Sequence, residues 1–494
     1  MLPVRALRGW VAVGASLAVL SHALAAGAFR CSARGGDPWR EYRSAHFVVL
    51  SDVPGRRAGE LVRALERTHA LIVQALVGEQ AEIPGRVRAL VVEDPALFRS
   101  LAGSRELRGY YLVSEPLGEP TVVLPSSTLD DGAETVAHEL AHRISRFLYP
   151  RQPTWFAEGL AEFVETVALP SEPGHPGHWA GLSTEESQRG LRGSAPVPAR
   201  ELLAWRHSRD DPGGRRHFYS WVLYHWLWNA RSRQFTSYQG MLARAEDPAL
   251  AWRTAFPEYD PAGPGALSAL DRELGHYLRT GRFLAYEVKL PPGEAPFTEA
   301  PVAPADVHLA LVAAALPGQG LAAEADARAE VGEALREDPL EPEALFREAG
   351  WERRSAAADL VRAAAARPRD WRAALLAGRA LEGAPGAEAQ LRSAVLLNPD
   401  SAYAADALAR VLAKGGRRVE ALHFANRAVD LAPWCAACVH TLAVVAADLG
   451  RCREALLLER RAADLAGEAE AAATEAGLRE VELQCGGAAP REAR

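Results

Sequence analysis

The sequence predicts an α+β amino-terminal domain followed by an all-α solenoid. In the first part of the chain, short apolar runs typical of strands alternate with helical patterns. A proline-rich stretch follows at 291–305, which we interpret as a linker. Beyond it nearly every segment has a helical pattern, and Pro399 and Pro433 stand 34 residues apart, the period of a helix-pair repeat. We therefore divide the chain into a domain at 38–290 and helical repeats at 306–485.

Size and charge limit the classes of protein to consider. The chain has 494 residues, which is enough for two or three domains. Its formal net charge of −7 gives no reason to expect nucleic acid as a partner.

The amino terminus has the features of an export signal. Arg5 and Arg8 precede an apolar run, and small residues follow that run. We interpret residues 1–26 as a signal peptide, with an uncleaved membrane anchor as the alternative. Both interpretations predict an exported protein, periplasmic or extracellular, and the second predicts one tethered to the membrane.

Four apolar runs predict the strands of the first domain. They are His46–Leu50, Val87–Val92, Tyr110–Val113 and Thr121–Leu124. Helical patterns lie between the first and second runs and between the second and third.

The last of these runs is a candidate substrate-binding strand. Thr121, Val122, Val123 and Leu124 come just before the helix described next. As an edge strand, this segment would pair with an extended peptide and hold it over a neighbouring site. As an interior strand it would only complete the sheet, and the sequence leaves both possibilities open.

The motif His138-Glu139-Leu140-Ala141-His142 predicts a metal site. Residues four apart lie on one face of a helix, so His138 and His142 offer two imidazole nitrogens to one ion. Glu139 lies about 100° further round the helix, where a general base must be to take a proton from water that the metal activates. The alternative is a chance pattern on an ordinary helix, which would bind no metal.

A second helix carries the candidate third ligand. Pro150 and Pro153 force a turn after the motif helix, and the segment Trp155–Gly159 begins the next one. Glu158 within this segment is our candidate ligand. Glu162, one turn further, is the candidate acceptor for the far nitrogen of a ligand histidine.

These two motifs, His-Glu-Leu-Ala-His and Trp-Phe-Ala-Glu-Gly-Leu-Ala-Glu, resemble those of the gluzincin metallopeptidases, in particular the peptidase MA-like group of bacterial proteins. The resemblance covers roughly residues 40–290 and implies a zincin-like α+β catalytic domain. It also implies that His138, His142 and Glu158 bind one catalytic Zn2+ ion, with Glu139 as the general base.

Two further expectations follow from this resemblance. Related gluzincins carry a tyrosine on a later helix whose hydroxyl stabilises the oxyanion of the tetrahedral intermediate. Tyr219 is similar in position and context, Tyr224 is the second candidate, and a plain core residue is the alternative. The Gly-x-Met-Glu-Asn stretch with which related aminopeptidases hold a substrate's amino terminus is not found upstream, which favours an endopeptidase.

The carboxy-terminal part resembles the tetratricopeptide family, weakly at 306–368 and well at 369–465. Small or apolar residues recur where that repeat needs them, among them Leu408, Ala421 and Ala455. Such repeats stack into a solenoid whose concave face binds peptides or proteins. The resemblance thus implies a substrate or an envelope protein as a partner, and the alternative is a solenoid that only scaffolds or dimerises.

Four of the five cysteines lie near the carboxyl terminus. Because disulfides persist in exported proteins, we expect these cysteines to pair. Cys452 opens one repeat helix and Cys485 ends the next, so an antiparallel helix pair brings them together. Cys435 and Cys438 are close enough to pair locally, with a redox motif or a four-cysteine zinc site as alternatives.

The sequence therefore predicts an exported zinc-dependent metallopeptidase that hydrolyses protein or peptide substrates, with repeats that recruit the substrate or a partner. The competing hypothesis is a catalytically silent, zinc-containing adaptor that acts through its repeats. The presence of Glu139 favours the enzyme, because drift in a silent domain would be expected to remove the general base first.

Overall fold

The computed structural model describes most of the chain after residue 37. The described ranges are 38–78, 82–104, 107–169, 177–182, 196–206, 211, 214–280, 283–291, 293, 295–316, 324–466 and 471–486. The predicted signal segment, residues 1–26, lies outside these ranges. None of the helices within them has both the length and the apolar character required to cross a membrane.

A six-stranded mixed sheet forms the framework of the amino-terminal domain. The strands are β1 (Arg40–Arg43), β2 (Phe47–Ser51), β3 (Val87–Val92), β4 (Tyr110–Ser114), β5 (Glu119–Pro125) and β8 (Thr298–Pro301). They lie in the order β4-β5-β3-β2-β1-β8. β2, β3 and β5 are parallel, whereas the other pairings are antiparallel. A separate antiparallel pair consists of β6 (His178–Ala180) and β7 (Tyr286–Val288).

The strand considered as a possible edge is an interior strand. Thr121, Val122, Val123 and Leu124 lie in β5, which pairs with β3 on one side and with β4 on the other. All four side chains are buried, since both faces of the sheet are covered at this point. The outermost strand on this side of the sheet is β4, so β4 rather than Thr121–Leu124 is the candidate for pairing with an extended peptide.

Ten α-helices belong to the described part of the amino-terminal domain. They are α1 (Gly55–Leu76), α2 (Pro95–Ala102), α3 (Thr128–Asp131), α4 (Ala133–Leu148), α5 (Thr154–Val164), α6 (Ala199–Leu203), α7 (Arg215–Ala230), α8 (Ser232–Ala243), α9 (Pro248–Ala255) and α10 (Ala266–Thr280). A 3-10 segment, Glu165–Ala168, continues directly from α5. α1 and α4 cover one face of the sheet, and α4 buries Leu140 and Ile144 completely in the core.

Eleven helices make up the secondary structure of the carboxy-terminal part within the described ranges. They are α11 (Pro304–Ala314), α12 (Glu324–Glu337), α13 (Pro342–Glu352), α14 (Ala357–Ala366), α15 (Trp371–Ala380), α16 (Ala387–Leu397), α17 (Ala402–Lys414), α18 (Arg418–Leu431), α19 (Ala436–Asp448), α20 (Cys452–Leu465) and α21 (Ala471–Gln484).

The stretch predicted as a linker, 291–305, is part of the folded domain. β8 lies within it and pairs with β1 along the sheet. Pro304 then occupies the first turn of α11, a position where a missing N–H costs nothing. α11 packs on the second face of the sheet, where the Tyr110 hydroxyl donates a hydrogen bond to the Ala314 carbonyl at 2.9 Å. The sheet domain therefore extends to Leu316, and the first predicted repeat helix belongs to it as well as to the array.

Antiparallel helix pairs succeed one another through the carboxy-terminal part. α13–α14, α15–α16, α17–α18 and α19–α20 are such pairs, and α21 packs on α20. Small residues allow the helices to approach closely. A Cβ added at Gly378 of α15 would lie 2.5 Å from the side chain of Leu391 on α16, and Ala421 and Ala455 are fully buried. This part of the chain is the all-α solenoid that the repeat pattern predicts.

The turn between β4 and β5 lies against the first helices of these pairs. The Tyr403 hydroxyl of α17 donates a hydrogen bond to the Glu115 carboxylate at 2.6 Å, and Arg347 of α13 donates to the carbonyl of the same residue. Leu117 packs into the core of the repeats. Gly118, with φ of 68°, lies so close to Tyr403 that an added Cβ would be 2.5 Å from the ring. The chain's own turn thus occupies this face of the solenoid.

Two disulfides lie in the last helices of the array. Cys452 pairs with Cys485 and joins the start of α20 to the end of α21, the pairing that the antiparallel arrangement suggested. Cys435 pairs with Cys438 at the start of α19.

Candidate metal centre

The side chains of His138, His142 and Glu158 meet between α4 and α5. Glu158 Oε2 lies 3.4 Å from His138 Nε2 and 3.3 Å from His142 Nε2. One ligand atom from each of the three residues lies within 4.8 Å of the others. The four-residue spacing puts both rings on one face of α4, and Pro153 at the N-cap of α5 sets the turn that brings Glu158 opposite them.

Close packing between two helices fixes the position of Glu158. The next residue, Gly159, faces α7, and an added Cβ there would lie 2.5 Å from the Ser220 carbonyl oxygen. Only glycine permits this approach without displacement of a helix. The short distance between α5 and α7 therefore explains why glycine follows the glutamate in the motif.

The surroundings of the Glu158 carboxylate are compatible with a bound cation. Its Oε2 atom is buried and receives no well-aligned hydrogen bond from any described residue. Burial alone would raise the pKa of Glu158, but the His142 and His138 rings hold it well below its usual range. A buried carboxylate is unfavourable without a compensating partner. Two imidazoles and one carboxylate form a ligand set that zinc uses in catalytic sites, so the residues present fit that ion.

Glu165, rather than Glu162, accepts the hydrogen bond from the far nitrogen of a candidate ligand. His138 Nδ1 lies 2.9 Å from Glu165 Oε2, in the 3-10 segment after α5. Glu162 is close by, and one of its oxygens belongs to the same cluster as His138 and Glu165. Glu165 stands seven residues after Glu158, which is two helical turns, so it projects toward α4 on the same side. That spacing is visible in the sequence and could have identified it.

Glu139 stands between the two histidines on α4 and remains half-buried. Burial lowers the pKa of His138, but the carboxylates of Glu158 and Glu165, together with that of Glu139, raise it well above its usual value. Among described residues no hydrogen bond or ion pair occupies the Glu139 carboxylate. It is therefore available as a proton acceptor beside the cluster.

A third histidine, His217, reaches the cluster from the first turn of α7. Its Nε2 atom lies 3.5 Å from Glu158 Oε2, and its Nδ1 atom lies 2.8 Å from Asp211 Oδ2. Asp211 is held in turn by the backbone N–H groups of Arg216 and His217 at 2.7 and 3.1 Å. Burial would lower the pKa of His217, but Asp211 and Glu158 raise it. No motif in the sequence marks His217 as a functional residue, and its one signal is its place two residues before Tyr219.

Tyr219, the predicted oxyanion-stabilising residue, is a core residue. Two positions along a helix correspond to about 200°, so Tyr219 faces away from the side of α7 that carries His217. It is buried and stacks edge-on against Phe218. Tyr224 is likewise in the core, where its ring packs on Phe156. On α7 it is His217, rather than either tyrosine, that is observed within 3.5 Å of Glu158.

A cleft of about 1350 Å³ leads away from the cluster. Its wall includes His142 and Glu158, and Tyr111 from the outermost strand β4. On the opposite side Asp464 and Ala466 contribute from the end of α20. The candidate metal centre therefore opens into a space bounded by both parts of the molecule.

No protein-family model and no curated protein matches this chain. Among solved structures it is similar to TTC0263, a thermophilic TPR protein of Thermus thermophilus, with 21% identity over 36% of this chain and 97% of that one, at a TM-score of 0.29. It is also similar to the MamA protein, with 18% identity over 30% of this chain and 85% of that one, at a TM-score of 0.24. It is similar to yeast Tom70 with 12% identity over 72% of this chain and 75% of that one, at a TM-score of 0.28.

Proposed function

We propose that this protein is a zinc-dependent hydrolase acting on peptide bonds. One observation carries the proposal: the buried Glu158 Oε2 atom has the Nε2 atoms of His138, His142 and His217 within 3.5 Å. An arrangement of this kind, beside a free Glu139 and a large cleft, is what water activation at a metal requires.

The residues divide into a metal-binding set and a proton-transfer set. His138, His142 and Glu158 would hold the ion. When bound, zinc supplies a Lewis acid that makes water more acidic and polarises a carbonyl. Glu139 takes the proton of the attacking water and delivers it to the leaving amine.

His217 takes the role that the resemblance gave to Tyr219. Asp211 fixes the ring through Nδ1, so the Nε2 side faces the cluster. A donor held in this way can hydrogen-bond the oxyanion that develops on the substrate carbonyl, and it needs no reorganisation during the reaction. Because Nδ1 donates to Asp211, Nε2 can also donate only when the ring is protonated, and the neighbouring Asp211 carboxylate favours that form.

The substrate's main chain is expected to lie along β4. β4 is the outermost strand of the sheet, and its Tyr111 reaches the cleft wall. An extended peptide can add to such a strand by backbone hydrogen bonds. The cleft volume suits several residues on either side of the scissile bond, which favours an endopeptidase.

Metal content and turnover of the full chain test this proposal together. We expect about one zinc ion per chain, lost in His142→Ala, and peptide cleavage that disappears in Glu139→Gln while zinc remains. A wild-type protein that holds no zinc under metal-replete conditions, or a Glu139→Gln protein that still cleaves, would refute it.

A second candidate function is that of an adaptor acting through its repeats. In its favour, the outer helices expose apolar side chains: Leu396 is 82% exposed and Val419 is 77% exposed. Singly exposed apolar residues are common, but two on successive outer helices suit a protein partner. In this case Glu139→Gln would retain every cellular function, whereas removal of both apolar side chains would not.

Export to the periplasm or the outside of the cell is part of the proposal, with an envelope protein as the class of partner for the repeats. The two disulfides support export, because such bonds persist in oxidising compartments. Retention of a reporter fused after residue 37 in the cytoplasm would contradict it.

A further inference from the structure

Arg146 occupies the position after His138 and His142 on the same face of α4. The three residues are spaced by four, so their side chains form one row, with neighbouring Cβ atoms about 6 Å apart. Arg146 lines the same cleft as His142 and Glu158 and is half-buried. Its guanidinium therefore belongs to the wall beside the candidate metal centre.

No described residue neutralises this guanidinium. Arg146 has no hydrogen bond and no ion pair within the described ranges, and the charge that it interacts with on α4 is another cation, Arg143. Burying half of an arginine beside a like charge is unfavourable unless something offsets it. The negative end of the helix dipole at the carboxyl end of α4 offsets only a part of this cost.

The aspartates of the cleft wall already have contacts within the protein. Arg151 contacts both Asp247 and Asp464, and Asp260 accepts a hydrogen bond from the backbone N–H of Ala262 at 3.0 Å. Apart from the metal-ligand candidate, these three are the acids that line the wall within the described ranges.

Basic groups remain on the wall after these pairings. Arg206 and Arg253 line the cleft with Arg146, and within the described ranges their side chains have no ion-pair partner. The wall that faces a bound substrate therefore presents three arginines without an ion-pair partner among the described residues, whereas two of its aspartates already contact Arg151.

We propose that Arg146 binds a carboxylate of the substrate and makes this site selective for acidic peptides. The proposal rests on the proposed function, because it assigns the ligand of the same cleft. A guanidinium offers paired N–H donors that match a carboxylate, and in a half-buried position such a bond discriminates strongly. Charge-assisted bonds of this strength correspond to about a tenfold to hundredfold preference.

The carboxylate has two possible sources, an Asp or Glu side chain or the free carboxyl terminus of the peptide. Binding of fluorescent peptides to zinc-loaded, full-length Glu139→Gln protein separates them without any turnover. The peptides share one length and differ in three ways: internal Glu with an amidated end, internal Gln with an amidated end, and internal Gln with a free end.

We expect one of the two carboxylate-bearing peptides to bind at least about tenfold more tightly than the amidated Gln peptide. The additional change Arg146→Ala should abolish this difference, and Arg146→Glu should reverse it in favour of a Lys-containing peptide. Arg99→Glu is the matched control, since Arg99 is exposed on α2 and does not line the cleft.

Equal binding of all three peptides, or a preference that survives Arg146→Ala, overturns the proposal. A folding defect in the Arg146 variants would appear in their circular dichroism and zinc content, and Arg146→Lys then provides a milder change that keeps the charge but loses the paired donors. If instead the proposed peptidase function is wrong and the Arg146 proposal is right, the wild-type protein would bind acidic peptides through Arg146 and cleave none of them.

Discussion

His138 donates from Nδ1 to Glu165 Oε2 across 2.9 Å, and this contact fixes which nitrogen of the ring faces Glu158. A carboxylate in this position orients a metal-binding histidine and raises its basicity. We predict that Glu165→Gln weakens zinc affinity about 10- to 100-fold. Competition titration with a chelator measures the change. Glu162→Gln is the control, and a larger loss in that variant would restore the original assignment of Glu162.

The second prediction concerns turnover. His217→Phe should lower kcat by about 10²- to 10³-fold while the zinc content is unchanged, because the donor for the oxyanion is lost but the ligands are not. Asp211→Asn should have an intermediate effect, since it removes the charge that holds the ring. Steady-state kinetics on any cleaved peptide measures both. Tyr219→Phe should leave kcat close to wild type, and a comparable loss there would assign the role to the tyrosine.

The third prediction tests the contact between α5 and α7. Gly159→Ala places a Cβ 2.5 Å from the Ser220 carbonyl oxygen, so the helices must separate. We expect a loss of about 1–3 kcal/mol in the free energy of unfolding. Gly240→Ala on α8 is the matched control: its Cβ meets only the flexible end of Arg244, and alanine should stabilise that helix by about 0.5–1 kcal/mol. Thermal unfolding distinguishes the two, and equal midpoints would contradict the close approach.

The fourth prediction tests the docking of the β4–β5 turn on the repeats. Gly118→Ala adds a Cβ 2.5 Å from the Tyr403 ring, and Gly118 has a φ of 68°. Gly85→Ala carries a similar backbone strain, with φ of 76°, but meets nothing within 4 Å. Hydrogen exchange should therefore quicken in the turn and around Tyr403 in the first variant and stay unchanged there in the second. Identical exchange in both would show that the turn does not depend on this contact.

The fifth prediction concerns acid stability. Burial would raise the pKa of Glu66, but hydrogen bonds from the His46 ring and backbone N–H lower it to about 2. A carboxyl whose pKa is lower in the folded state stabilises the fold above its unfolded pKa, roughly 4.3, and loses that contribution as the pH falls toward 2. Glu66→Gln should thus cost about 2–3 kcal/mol at pH 7 and progressively less in acid. Urea unfolding across this range measures it, and a constant difference would contradict the assignment.

Local geometry explains which parts of the site could be predicted. The spacing of His138, Glu139 and His142 acts within one helix, and Glu158 follows after a single proline turn. Relations of this kind depend on helical periodicity alone. Helical periodicity and one turn are therefore enough to predict that these three side chains lie near one another, whereas metal binding by them stays a prediction.

Tertiary contacts explain what could not be predicted. His217 reaches Glu158 only because α7 packs on α5, and no sequence pattern near residue 217 predicts that packing. The position of Thr121–Leu124 in the sheet depended on the pairing of β4, which the apolar run alone does not reveal. The range 291–305 has the composition of a linker, yet backbone pairing of β8 with β1 overrides that composition.

The return of the chain to the sheet after residue 290 constrains how such a gene can change by recombination. A cut at residue 291, the apparent border by composition, would remove β8 and α11, leave β1 as an unpaired edge and uncover the apolar face around Tyr110. An exposed edge and an apolar face of this kind promote aggregation. Exchange of one solenoid for another is therefore compatible with folding of the sheet domain only beyond Leu316, so β8 and α11 are inherited with the sheet domain rather than with the repeats.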